Sequence, residues 1–474
     1  MTVIYIIIAL LCVILVRTAK FKPLPEEKRE AEPVDFDNEA AIRALGELVK
    51  CRTVSYTDHA LEDEGEFEKL ISLLPELYPN VFRVCTVERL PDRALLFTWK
   101  GKAPGNPAVL MAHFDVVPVE PANWQRDPFG AEIVDGVMWG RGTLDTKVTF
   151  NGILSAAENL IGAGFVPEHD IYFAFSGQEE INGMGAVRIV ERFAQMGVVP
   201  ELVLDEGGAV VQDVFPGVKE PCGLIGIAEK GMLNLEYSVS SGGGHASAPA
   251  PHTPVGKLAM ACAAVEAHPF HLRITKPAAE MFDVLGRRSS FVYRMIFANL
   301  WCFGPVLDLI TRRSGGELNA LLRTTVAFTQ MQGSKAPNVI PPSASMVSNI
   351  RLNPADTVAG AVEYIRGVIG DADVQLTVTD HMEPSPVSCT DCEGWRRISR
   401  AVADTWRGCV VAPYLMVQCS DSRHYRDLSD RVYRFSAADL TREERSTIHG
   451  NNERIRLETA CRAVEFFIRV MKQC

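Results

Sequence analysis

Residues 2–16 form an apolar run without a single charge, and Arg17, Lys20, Lys22, Lys28 and Arg29 follow it. As a helix these fifteen residues span about 22 Å, short of a roughly 30 Å hydrocarbon core unless Met1 and a snorkelling Arg17 extend the span. No basic residue precedes the run and no clear small-residue cleavage site follows it, so an uncleaved membrane anchor over 1–18 is expected rather than a secretory signal. The basic residues after the run favour a body on the cytoplasmic face, but the sequence leaves the side of the membrane open. Residues 19–37 are rich in Pro and Glu and lack apolar periodicity, which predicts an extended tether. The folded body begins with helical spacing over 40–49 (Ile42, Leu45, Leu48, Val49) and 66–74. Short apolar runs at 94–97, 108–111, 171–175 and 202–204 then alternate with helical stretches at 152–161 and 185–193. That alternation predicts an α/β sheet covered by helices on both faces.

The 474 residues suffice for two or three domains. With 47% hydrophobic and 23% charged residues, 36 Gly and 28 Pro, the chain is globular, which excludes disordered, collagenous and multi-span membrane classes. Its net charge of −11 opposes binding to phosphate backbones, so no nucleic-acid partner is expected. Twelve cysteines are scattered without a disulfide framework. Only Cys389 and Cys392 are spaced C-x-x-C, and the reading favoured there is a loop carrying two thiols over a redox site.

The chemistry-bearing residues cluster at predicted strand ends. His113 and Asp115 follow the run ending at Met111, Glu179 and Glu180 follow Phe175, Asp205 follows Leu204, and Asp145 lies in a Gly-rich turn before a helix. Ligand crevices in α/β sheets form at the carboxyl ends of strands. Carboxylates gathered there repel one another, and a divalent cation held by mixed imidazole and carboxylate donors resolves the repulsion. Each residue alone is more readily a cap, a turn former or a packed histidine. The combination is far more specific.

The segments MAHFDVVPVEPANWQRDPFG (111–130), WGRGTLDTKVTFNGIL (139–154), FSGQEEINGMGA (175–186), LDEGGAV (204–210), GGGHASAPAPHTPVGKLA (242–259), NVIPPSASMVSNIRLNP (338–354), SDSRHYRDLSDRVYRFS (420–436) and IHGNNERI (448–455) resemble, in order, the signatures of the M20 metallopeptidases. Within that family the chain is most similar to the Gly-Xaa carboxypeptidases and the N-acyl-amino-acid hydrolases and synthases, from about Ala40 to the C-terminus. The resemblance implies a mixed sheet flanked by helices, as in zinc exopeptidases. The catalytic domain would be formed by 38–230 and 353–474, with a smaller α+β lid and dimerisation domain inserted at 231–352.

Carried over residue by residue, the resemblance places one zinc on His113, Asp145 and Asp205 and a second on Asp145, Glu180 and His449. Asp145 bridges, as paired metals about 3.5–4 Å apart require. Cobalt or manganese would fit the same donors. Asp115 orients His113, Glu179 is the general base towards water, and His245 on the lid stabilises the oxyanion, in some members from the partner subunit of a homodimer. Asn338, Arg351, Arg423 and His424 are implied to line the substrate pocket, with Arg351 matching a substrate carboxylate bidentately. The reaction implied is hydrolysis of an amide beside a C-terminal amino acid, in a small peptide or an N-acyl amino acid. Carboxypeptidase, dipeptidase and aminoacylase activities share this motif set. A catalytically inactive metal-binding protein is the remaining alternative, and the intact Glu179 speaks against it. Inside the expected lid, the apolar stretch FVYRMIFANLWCFGPVLDLI is interrupted by Arg294 and by Gly304-Pro305. It is therefore expected to be a buried or interfacial helix pair, in a substrate groove or at a membrane-facing edge, rather than a span.

Overall fold

In the computed structural model, residues 1–25 and 31–474 are described. The expected tether at 19–37 falls partly outside them, at 26–30. The elements that frame the site include, in chain order, helix α1 (Thr2–Lys20), β1 (Thr86–Leu90), β2 (Ala94–Trp99), β3 (Ala108–His113), α2 (Lys147–Gly162), β4 (Ile171–Ser176), β5 (Leu202–Val211), β6 (Cys222–Glu229) and β7 (Gly231–Ser240), and the helices expected over 40–49 and 66–74 form as Asn38–Val49 and Glu64–Leu77. Next come α3 (Pro254–Ala267), α4 (Lys276–Arg288), α5 (Phe291–Ala298), α6 (Leu300–Ser314), α7 (Gly316–Leu322), β8 (Thr325–Gln332), β9 (Ser343–Leu352), α8 (Val358–Ile369) and β10 (Gln375–Met382). The chain closes with β11 (Val410–Met416), β12 (Val432–Leu440) and α9 (Leu457–Met471).

The main sheet has the order β1-β2-β4-β3-β5-β12-β6-β11. It is mixed: β3 runs parallel to β4 and β5, whereas β1, β2 and β4 pair antiparallel in turn. Strands β2, β3 and β4 are buried along their whole length, as expected of strands covered on both faces. Their core includes Leu110, Phe150, Ile153, Phe173 and Phe175, closed on one side by Val464 and Phe467 of α9. The α/β class with a mixed, helix-flanked sheet is thus as the sequence implied.

The second sheet has the order β8-β9-β7-β10. Alternate residues of β7 (Leu233, Leu235, Tyr237, Val239) pack on Leu258, Ala261 and Val265 of α3 and on Ala361 and Ile365 of α8, forming a separate core. This corrects the expected lid limits of 231–352 in two ways. The lid extends to Met382, because β10 supplies its fourth strand. Helices α4 to α7, inside the expected range, belong instead to the body: Met281, Phe282, Leu285, Phe297 and Leu322 join the main core. The apolar stretch 291–310 forms α5 and α6, which break at Asn299 rather than at Gly304-Pro305. Cys389 and Cys392 are joined in a disulfide, where two free thiols had been expected.

Candidate active site

His113 ends β3, Glu179 and Glu180 sit just beyond β4, and Asp145 lies two residues before α2. The carboxyl edge of the sheet therefore brings three segments together, and His449 joins from the loop before α9. Asp145 occupies the centre. Its Oδ1 is 3.0 Å from His113 Nε2 and its Oδ2 is 3.0 Å from His449 Nε2. Glu180 Oε2 lies 3.1 Å from His449 Nε2, on the same side. Each oxygen of one carboxylate thus serves a different imidazole.

On the His113 side the neighbouring carboxylate is Glu206, 3.3 Å away, whereas Asp205 was expected there. Asp205 turns away: its carboxylate accepts the Ser422 N–H at 2.8 Å and the Glu206 N–H at 2.9 Å. Adjacent residues of a strand face opposite sides, and a β-bulge re-aims the side chain it carries. The pairing of β5 with β12 slips here, from Asp205 opposite Arg434 to Gly208 opposite Phe435. Gly207 permits the slip with φ of 145°, and a Cβ on it would lie 2.6 Å from the Met416 sulfur. A Gly-Gly pair inside a strand was the sequence signal for this bulge.

Asp115 is buried and holds the cluster from behind. Its two oxygens accept the N–H groups of Glu179 (3.1 Å) and Glu180 (3.2 Å), and its carbonyl lies 3.0 Å from His113 Nδ1. A further brace escaped the sequence reading. Buried Glu453 accepts the Leu144 N–H (2.7 Å) and the Asp145 N–H (3.2 Å) and pairs with buried Arg141 at 2.7 Å. Arg141 also donates to the Gly450 carbonyl at 2.9 Å, which ties the Asp145 turn to the His449 loop. Both residues stand inside quoted motifs, but only the fold shows them as partners.

The electrostatics reflect the crowding. Burial pushes the Glu179 carboxyl well above the usual carboxylate range. Burial and repulsion by Asp145 push Glu206 up to about 8, and burial raises Glu180. Asp145 is held low, because its bonds to His113 and His449 outweigh its own burial. His449 is raised to about 11 by Asp145 and Glu180. His113 is raised against its burial by Glu206, Asp115 and Asp145. Two imidazoles and four carboxylates converging here, with Glu180 Oε1 buried and free of any hydrogen bond, fit the donor set of paired divalent cations.

The remaining expected site residues fall into two groups. Arg423 is buried near this cluster and donates to Asn182 Oδ1 at 2.9 Å and to the Ser420 carbonyl. Burial and the Arg423 charge push the neighbouring His424 down to about 4, and its Nε2 is buried without a partner. Arg351, at the root of the lid, reaches Cys419 of the body at 3.3 Å. His245 and Asn338 lie on an exposed ribbon of the lid, where residues 244–245 pair with 339–340. His245 Nδ1 lies 2.7 Å from Ser247 Oγ, and the Asn338 carbonyl accepts from Ala246. None of these bonds reaches the carboxylate cluster.

A helix-flanked mixed sheet, a lid inserted after β6 and a histidine–carboxylate cluster at the strand ends define a metal-dependent hydrolase of the exopeptidase type. Residues 109–473 match peptidase family M20/M25/M40, and the chain belongs to that family. It is 35% identical to an N-fatty-acyl-amino acid synthase/hydrolase of Xenopus tropicalis, over 98% of this chain and 93% of that one. It is 31% identical to a probable carboxypeptidase S-like protein of Dictyostelium discoideum, over 98% and 92%. Among solved structures, an M20 family metallo-carboxypeptidase from Sulfolobus solfataricus superposes with a TM-score of 0.67 at 17% identity, covering 91% of this chain and 98% of that one. A Bacillus subtilis dinuclear metal-binding peptidase of the M20 family superposes at 0.54, with 14% identity, covering 92% and 98%. The protein is an M20-type metallopeptidase or amidohydrolase.

Proposed function

We propose that the protein is a two-zinc hydrolase that cleaves the amide bond beside a C-terminal amino acid, with N-acyl amino acids as the favoured substrates and small peptides as the neighbouring class. The observation that carries this reading is Asp145, one oxygen facing His113 and the other His449, with Glu179 beside them. The names of the relatives support the substrate class. His113, Asp145 and Glu206 would hold one ion, and Asp145, Glu180 and His449 the other; zinc suits the donors, with cobalt or manganese as alternatives. Bound there, such ions polarise the amide carbonyl and make water acidic enough to attack near neutral pH.

Glu179, acting as the carboxylate, takes the proton of the attacking water; its burial favours the carboxyl so formed, which returns the proton to the leaving nitrogen. Asp115 fixes Glu179 and Glu180 through their backbone N–H groups, so the two glutamates keep separate tasks. Arg351 is assigned to the substrate carboxylate, and Arg423 and His424 to the pocket wall. His245 and Asn338 act from the lid ribbon on the carbonyl oxygen, after lid closure or from a second copy in a homodimer. Helix α1, the one helix among the described residues with the length and apolarity of a membrane span, anchors the chain to a membrane.

The test is the release of free amino acid from N-fatty-acyl amino acids, dipeptides and Gly-Xaa peptides, before and after chelation. Chelation should abolish release, and zinc or cobalt should restore it. Glu179→Gln should lose turnover with its metal retained. Near-normal activity in that variant overturns the mechanism.

A further inference from the structure

Helix α1 does not leave the body as a free stalk. Ile14 and Thr18 are buried against α5, and a polar seam closes the junction. Asn299, at the break between α5 and α6, donates from Nδ2 to Thr18 Oγ1 (3.2 Å) and to the Ile14 carbonyl (3.3 Å), and Arg17 Nε donates to the Ala298 carbonyl (3.2 Å). Phe21 then folds under the guanidinium of Arg287 on α4. The last turn of the apolar run therefore lies at the level of α5 and α6.

These two helices bury Phe297, Ala298, Leu307 and Thr311. Their other face carries Phe291, Val292, Trp301, Val306, Leu309 and Ile310, each between 49% and 60% exposed. Scattered apolar residues on a surface need no explanation, but six large ones on two consecutive helices mark an interaction face. Helix α6 is braced, too. Arg323, 1% exposed, donates to Asp308 Oδ1 (2.7 Å) and Thr311 Oγ1 (2.9 Å) of α6, while its carbonyl accepts from Lys230 Nζ at the root of the lid.

We propose that α5 and α6 form a membrane-embedded collar: their outward apolar face enters the interfacial layer of the same phospholipid bilayer that takes α1, and holds the catalytic body against the lipid. This rests on the reading of α1 as an anchor. Three observations select lipid as the occupant. The exposed face begins on α5, the helix against which α1, uncharged over residues 2–16, packs. The helix α1 continues to Lys20, but its uncharged run over residues 2–16 spans only about 22 Å, some 8 Å short of the hydrocarbon core, and an apolar helix face lying in the interface sinks about 5–10 Å, which closes the gap. Although the chain is acidic overall, Arg17, Lys20, Lys22, Arg294 and Arg313 lie on the segments that form this junction, suited to anionic headgroups.

The test uses the full-length protein in phosphatidylcholine–phosphatidylserine vesicles whose acyl chains carry bromine either near the headgroup or deep in the chain. The difference in fluorescence between the unaltered protein and Trp301→Phe isolates Trp301. Shallow bromines should quench that signal roughly two-fold or more, and deep bromines less. Leu309→Asp/Ile310→Asp, with unchanged circular dichroism, should remove the quenching while flotation with vesicles persists. Flotation with Trp301 untouched by either bromolipid overturns the collar and leaves the anchor. Absence of flotation overturns both. A Trp301 shielded from lipid in a species of doubled mass assigns the face to a second copy and also overturns the proposal. Metal content and amide hydrolysis, measured on the same samples, report on the hydrolase reading independently.

Discussion

Asp205 and Glu206 show what one residue of register does. They are chemically near-equivalent neighbours, yet one accepts the backbone N–H of Ser422 and the other faces His113. Glu206→Gln is expected to remove one of two bound metal equivalents by elemental analysis. It should also lower kcat/KM by more than the roughly 10–100-fold typical of losing an outer partner. Asp205→Asn, which keeps an acceptor for Ser422, should stay within that range with both metals bound. Metal loss from Asp205→Asn with both metals kept by Glu206→Gln would return the ligand role to Asp205. The family motif identified the LDEGG segment but not which acid faces the cleft, because a bulge is a property of the pairing strand as much as of its own sequence. His424 makes a separate residue-scale prediction. Its folded value, pushed down to about 4 by burial and Arg423, lies below the 6.5 of a free imidazole, so the unfolded chain takes up the proton first as pH falls. Stability attributable to His424 is therefore intact above pH 6.5 and is lost down to about pH 4, up to about 3 kcal/mol. His424→Gln should flatten that part of the urea-midpoint profile, and an unchanged slope would show that His424 is not protected from protonation.

The strands carrying the site were the most legible elements. The runs at 94–97, 108–111 and 171–175 are the centres of β2, β3 and β4, since strands buried on both faces read as continuous apolar stretches. The lid boundary was not legible. Strand β10 pairs with β7, well over a hundred residues earlier, and local periodicity holds no record of such a partner. For the same reason α4 to α7, apolar on one face like any lid helix, gave no sign that they return to the body. The brace between Glu453 and Arg141 is likewise a link between distant elements, joining the turn before α2 to the loop before α9. Both side chains are almost wholly buried, so removing one leaves the other uncompensated. Glu453→Ala should cost about 3–5 kcal/mol in denaturant unfolding, and Arg141→Met/Glu453→Leu should recover much of it. Because Glu453 also holds the Asp145 N–H, the double variant should still bind metal weakly even when stability returns. Full metal affinity there would reduce the pair to a purely structural role.

Body and lid have separate cores, and the chain crosses between them at Lys230–Gly231 and again just after Met382. The proposed reaction divides its groups across this boundary: metal donors and Glu179 on the body, His245, Asn338 and Arg351 on the lid. The geometry of the two crossings therefore sets whether lid groups can meet a substrate held at the cluster. Gly231 lies where the crossings touch. A Cβ there would come within 2.6 Å of the Met382 carbonyl oxygen and 2.7 Å of the Pro384 nitrogen, both backbone atoms, and backbone cannot swing aside as a side chain can. Gly231→Ala must separate the two crossing segments and tilt the lid. A misplacement of about 1 Å far from the chemistry can cost about 10²-fold, and a loss of that order in kcat/KM is expected, with both metals retained because every proposed ligand is on the body. If kcat/KM were unchanged, the lid's bearing on the body would not position the substrate; loss of metal would mean that the substitution deforms the body itself rather than the joint.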